Sequence, residues 1–177
     1  TVVLCPTTES NLGDGIFPIL DYQKAGGSWC IGSDSQVNLN PFREMQMPEL
    51  TQRLLDRKRN VFCEEGRLDS GTILYDQALK GGRLALGYKG ARSFAKGHYL
   101  EGLLIDPYHD RILERPMSNV LSVLVYAPET NMIQGVYCKG TLRVSEGRHV
   151  ARNVNQVAYS RAIQRLMQSL ADIEKRG

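Results

Sequence analysis

The sequence has 177 residues, of which 42% are hydrophobic and 23% charged, and its formal net charge is +3. That length suits one domain or a little more, and that apolar content excludes a disordered chain. The charge is too mild for a nucleic-acid binder. No apolar run approaches the ~20 residues that span a bilayer, and the start carries no secretory-leader pattern.

The chain opens on Thr1-Val2-Val3-Leu4-Cys5, a strand with no preceding cap, and is expected to be a piece of a longer polypeptide. Val2 to Cys5 is a short apolar run, as in a strand buried on both faces. The stretch PTTESNLGDG that follows is rich in Thr, Asn, Gly and Asp and is expected to be a loop. Phe17 to Lys24 reads as a helix with Phe17 and Leu20 inward, stopped by Gly26-Gly27. Trp29 to Gly32 is a second strand. Strand, helix and strand within ~30 residues make a βαβ unit, which requires parallel strands.

Pro41 to Asn60 reads as a helix, with Pro41 in its first turn and Leu50, Leu54 and Leu55 as an apolar stripe. Ser70 to Leu86 is another, capped by Ser70, with Leu74, Ala78 and Leu79 on one face. Gly81-Gly82 is expected to end or kink it. From about Gly97 the segments become short and β-rich: Leu103 to Ile105, Val120 to Tyr126, Met132 to Cys138 and Thr141 to Val144. A hairpin is expected to close near Lys139-Gly140. The last helix runs from Val154 to Glu174, with Ile163, Leu166, Met167 and Leu170 on one face. The expected organisation is α/β: residues 1–96 as the end of an α/β unit, 97–150 as a small β subdomain and 151–177 as a terminal helix.

The four cysteines, Cys5, Cys30, Cys63 and Cys138, form no CxxC pair. They suggest neither a zinc knuckle nor a disulfide framework, and reduced thiols favour the cytoplasm. The basic cluster Arg53, Arg57, Lys58 and Arg59 reads as a solvated helix face. His98, His109 and His149 read as surface or turn residues.

One acidic residue stands out. In SWCIGSDSQVNLN, Asp34 follows a buried-looking strand and precedes a polar stretch. In parallel α/β folds, functional side chains gather where strands end. Asp34 stands at such an end, and the segment Thr7 to Gly15 follows the neighbouring strand, offering Glu9 and Asn11 as binding groups. Asp34 could instead order its own loop. The six residues between it and Pro41 argue against a direct helix cap.

CPTTESNLGDGIFP, then GGSWCIGSDS, then QRLLDRKRN, resembles the amidohydrolase superfamily, and within it the formimidoylglutamate deiminases of histidine degradation. GTILYDQALKGGRLALG, GHYLEGLLID and VYCKGTLRVSEGRHV continue the likeness over nearly the whole chain. The resemblance implies the C-terminal part of a (β/α)8 barrel whose last two strands are Val2 to Cys5 and Trp29 to Gly32. It implies hydrolysis of N-formimidoyl-L-glutamate to N-formyl-L-glutamate and ammonia. It makes Asp34 both a ligand of one divalent metal, zinc, and the group that takes a proton from the metal-bound water.

A zinc site needs about three protein ligands, and this sequence offers one. The others are therefore expected on a missing N-terminal portion of the same enzyme. The expected partners are that portion, a small-molecule substrate and copies of the chain in a homo-oligomer. Gln36 stands where many deiminases of the group have histidine, and Leu100-Glu101 where Ala-Asp is usual. These departures leave open another amidine or an aminated ring as substrate. A non-catalytic α/β module is the third reading.

Overall fold

The computed structural model describes residues 1–66, 69–88 and 94–175. The chain divides into two compact units, one of residues 1–92 and 106–132, the other of residues 93–105 and 133–177.

In the first unit, β1 (Val2–Leu4) is followed by α1 (Pro6–Leu12), α2 (Ile19–Lys24), β2 (Trp29–Ile31), α3 (Pro41–Asp56) and α4 (Ser70–Ala85). Later in the chain α5 (Val120–Tyr126) joins them. β1 and β2 pair in parallel, Val2 with Trp29, Val3 with Cys30 and Leu4 with Ile31, as the βαβ reading requires. The core holds Leu4, Ile19, Trp29, Phe42, Ile73, Leu74 and Leu124, each 4% exposed or less. Burying each such side chain contributes roughly 1.5–3 kcal/mol.

Four expectations fail here, each for a physical reason. PTTESNLGDG is not a loop, because Pro6 to Leu12 form α1. Pro6 occupies the first turn, where its missing N–H costs nothing, and Gly13 closes the helix at φ 76° by donating its N–H to the Glu9 carbonyl. Val120 to Tyr126 is a helix, not a strand. Its β-branched residues favour a strand, but packing of α5 on α3 and α4 buries Leu124 and Val125 and overrides that propensity.

α3 ends at Asp56, and Leu54 and Leu55 face solvent, at 78% and 55% exposed. Its buried face is instead largely polar: Glu44, Gln46, Glu49 and Gln52. Each finds a partner there, as buried polar groups must. The Glu49 carboxylate accepts from the Val61 and Phe62 amides and from Arg53; the Gln52 amide donates to the Phe17 carbonyl at 3.0 Å.

Finally, α4 passes through Gly81-Gly82 unbroken, and Asp69 rather than Ser70 caps it. The cap carboxylate also accepts from the Ser122 hydroxyl. Burial alone would raise its pKa. Hydrogen bonds from Ser122 and Thr72 outweigh that and hold the Asp69 carboxyl below the usual range.

The second unit is an antiparallel meander, β3 (Gly102–Ile105), β4 (Ile133–Cys138), β5 (Thr141–Ser145) and β6 (Arg148–His149), paired in that order. Cys138 pairs with Thr141 across a two-residue turn, with Lys139 at φ 49° and Gly140 at φ 78°. Two successive left-handed residues match the twist of a hairpin, so the turn at Lys139-Gly140 is where the sequence places it. α6 (Arg152–Glu174) completes the unit and is exposed along its length.

Candidate active site

Parallel pairing brings the ends of β1 and β2 to one edge of the sheet, with the Gly32 amide donating to the Leu4 carbonyl at 2.9 Å. Cys5 and the segment Gly32-Ser33-Asp34 therefore leave the sheet side by side. β1 runs straight into α1, whose first turn is closed from within: the Cys5 amide donates to Glu9 Oε1 at 2.6 Å. A carboxylate reaching back to an N-terminal amide satisfies one of the donors that a helix start leaves open.

Thr8, 1% exposed, donates its hydroxyl to the Ser33 carbonyl at 3.0 Å. The Gln36 amide donates to the same carbonyl at 2.9 Å and closes the turn that carries Asp34. Asp34 sits in that turn at φ 46°, a left-handed conformation that aspartate tolerates better than most residues. Its side chain is exposed, and Oδ1 accepts from the Ser35 hydroxyl at 3.2 Å. It caps nothing: Asn40 caps α3, accepting from the Phe42 amide at 3.0 Å.

Glu44 lies against this edge from α3. Only 2% exposed, it accepts from the Thr7 amide at 3.1 Å through Oε2 and from the Thr7 hydroxyl through Oε1. Between the strand ends lies the Cys5 thiol. Burial foremost, then the carboxylates of Asp34, Glu9 and Glu44, push its pKa up, which keeps it a neutral thiol.

The structure thus brings Asp34 and Glu9 to one edge, while Asn11 lies exposed near the end of α1. One oxygen of Glu9 is engaged by its own helix, and Glu9 lines a cavity of about 20 Å³ with Leu4, Pro6 and Thr51, room for about one water. A groove of about 500 Å³ begins beyond the Asp34 turn at Asn38 and Asn40 and includes Arg43 and Arg111. Its size suits a small molecule.

Thr7 and Thr8 belong to the segment that the sequence places at this edge, while Glu44 is absent from the sequence reading of the site. No local signal marks Glu44, which stands beside Arg43 in the first turn of α3 and looks like a solvated helix acid. His98 and His149 are exposed, while the His109 ring is covered and binds Asn131 Oδ1 at 3.1 Å. Among the described residues, no group of three or more His, Cys, Asp or Glu could hold a metal ion. Asp34 is an exposed carboxylate that could supply at most one ligand, and no complete metal site is present in these residues.

No family model matches the sequence. Formimidoylglutamate deiminase of Pseudomonas aeruginosa is 35% identical over 164 residues, which is 93% of this chain and 36% of that protein. The crystal structure of an amidohydrolase from Brucella melitensis superposes with a TM-score of 0.81 at 32% identity, covering 94% of this chain and 36% of that one. An adenosine deaminase from Xanthomonas campestris, crystallised with bound zinc, shares the fold at a TM-score of 0.70 and 22% identity, over 94% of this chain and 37% of its own. The chain spans about a third of the length of each. By sequence and by fold, it resembles the C-terminal portion of enzymes of the amidohydrolase superfamily.

Proposed function

We propose that this chain is the C-terminal portion of a metal-dependent amidohydrolase that deaminates N-formimidoyl-L-glutamate to N-formyl-L-glutamate and ammonia. The observation that carries the reading is Asp34: an exposed carboxylate at the end of β2, in a chain so similar to a formimidoylglutamate deiminase. Residues 1–96 would supply the last two strands and helices of a (β/α)8 barrel, 97–150 a β subdomain apart from the segment 106–132 that packs with the first unit, and 151–177 a closing helix.

The reaction adds water across the C=N bond of the formimidoyl group and expels ammonia. A neutral amidine carbon is a poor electrophile, and neutral water a poor nucleophile. A bound divalent metal, zinc by analogy with the Xanthomonas enzyme, supplies acidity to water, lowering its pKa toward ~7. Asp34 would be one of its ligands, the others lying outside these residues. The Asp34 carboxylate takes the proton of the attacking water and hands it to the departing nitrogen. Glu9 and Asn11, on the neighbouring strand's outgoing segment, are proposed to hydrogen-bond the substrate.

The test is Asp34→Asn in the enzyme that contains this chain. The variant keeps the side chain's shape and removes the proton acceptor. Turnover of formimidoylglutamate is expected to vanish while the circular dichroism spectrum stays unchanged. Activity within about tenfold of the parent, only ~1.4 kcal/mol of barrier, refutes the role. Should the parent deaminate an aminated ring and not formimidoylglutamate, the substrate assignment falls and the metal carboxylate stands.

A further inference from the structure

Two buried groups near the strand ends, Glu44 and Thr8, do no chemistry of their own in the proposed reaction, yet Thr8 bonds the segment that carries Asp34 and Glu44 holds the residue before Thr8. Glu44 receives the amide and the hydroxyl of Thr7 on its two carboxylate oxygens. Thr8, the next residue, gives its hydroxyl to the Ser33 carbonyl, one residue before Asp34. The three connections run in series from α3 to α1 to the Asp34 turn. All lie within one compact unit.

The series is costly to keep, which argues for a use. Glu44 is a carboxylate at 2% exposure, and removing a charge from water is repaid only by close hydrogen bonds. Thr8 buries a hydroxyl at 1% exposure on a helix of seven residues. The turn these groups hold is short and has two left-handed non-glycine residues, Asp34 at φ 46° and Gln36 at φ 59°. Such conformations persist only where the surroundings impose them. The one turn carbonyl that both Thr8 and the Gln36 amide seize is that of Ser33.

We infer that Thr8 and Glu44 are positioning residues for the deamination reaction: acting through Ser33, they fix where the Asp34 carboxylate stands. The inference rests on the assignment of Asp34 as the reacting carboxylate. Glu44 sets the first turn of α1 through Thr7, and Thr8 transmits that setting to the turn. Neither touches the substrate. A carboxylate that must both bind a metal and relay a proton tolerates little displacement, since a misplacement of ~1 Å can cost about 10²-fold in rate.

The experiment compares Thr8→Val, Thr8→Ser and Glu49→Gln in the enzyme that contains this chain, with Asp34→Asn as reference. Thr8→Val removes the hydroxyl at nearly constant shape. Its kcat is expected to fall roughly 10- to 100-fold with KM within about threefold, and Thr8→Ser to recover most of the loss, in keeping with that sensitivity to placement. Glu49→Gln disturbs another buried carboxylate of α3, one that binds the Val61 and Phe62 amides and has no link to Asp34. It should lower Tm and leave kcat unchanged, separating position from general stability.

If Thr8→Val does not fold, Thr7→Val, which removes the hydroxyl held by Glu44, carries the same expectation. A kcat within twofold of the parent in the folded variant, with Asp34→Asn inactive, overturns the positioning role and leaves the reaction standing. An active Asp34→Asn overturns both.

Discussion

Cys5 is the residue through which the Asp34 site can be probed without turnover. Its thiol sits between the two strand ends, its pKa pushed up by burial and then by Asp34, Glu9 and Glu44. A thiol is ordinarily half ionised near pH 8.5, and only the thiolate is alkylated. Because the shift is upward, the thiolate appears later than usual as pH rises. Cys5 should therefore react with iodoacetamide at pH 7.5 more slowly than exposed Cys138, and the gap should narrow as pH rises. Asp34→Asn removes one of the carboxylates that raise the pKa, so alkylation of Cys5 should quicken in that variant. Peptide mass spectrometry reads both rates. Equal labelling of Cys5 and Cys138 in the parent would contradict the half-buried, acid-lined setting described for Cys5.

At the scale of elements, adjacent glycines of α4 carry opposite predictions. A Cβ at Gly81 would run into the Trp29 carbonyl of β2, whereas one at Gly82 meets only Cys30 Cβ at 3.7 Å, an ordinary contact. Alanine improves helix propensity by up to ~1 kcal/mol at either site. At Gly82 that gain should survive, while at Gly81 overpacking against rigid backbone, typically 1–3 kcal/mol, should exceed it. Gly82→Ala is thus expected to raise Tm and Gly81→Ala to lower it. A rise in both would mean that α4 does not lie on β2 as described.

The same pair shows why part of the fold was legible in the sequence and part was not. β1, β2, α4 and the Lys139-Gly140 hairpin announce themselves through apolar runs, periodicity and turn chemistry, which are local signals. Gly81-Gly82 reads locally as a break, and only the neighbouring strand explains it. α5 is hidden likewise, since Val120, Val123 and Val125 speak for a strand until α3 and α4 are in place. Of the candidate site, the position of Asp34 just after β2 was legible because an acid at a strand end is conspicuous. Thr8 was read as part of the neighbouring segment, but its bond to Ser33, 25 residues away, was not legible, and neither was Glu44, whose partner Thr7 lies 37 residues away.

For the whole molecule, what remains uncovered governs the behaviour of the chain alone. β1 and β2 form a sheet of two strands, each with an open edge among the described residues, and Val3 is 53% exposed. Open apolar edges recruit other strands. On α6, Tyr159, Ile163, Leu166, Leu170 and Ile173 recur at intervals of four and three residues, the spacing of a helix–helix seam, and all are 38% exposed or more. A helix of that kind gains most of its stability from the surface it covers. The isolated 177-residue chain is therefore expected to self-associate when purified, and light scattering coupled to size exclusion should report a mass well above 19.8 kDa. It should also release no ammonia from formimidoylglutamate with added zinc, since Asp34 alone cannot hold the metal. Apolar surface and missing ligands are independent causes, so the two outcomes need not fall together. A monodisperse monomer would mean that the exposed seam of α6 folds back on its own unit. Turnover by the isolated chain would mean that its own residues complete a metal site, and would remove the need for ligands from elsewhere.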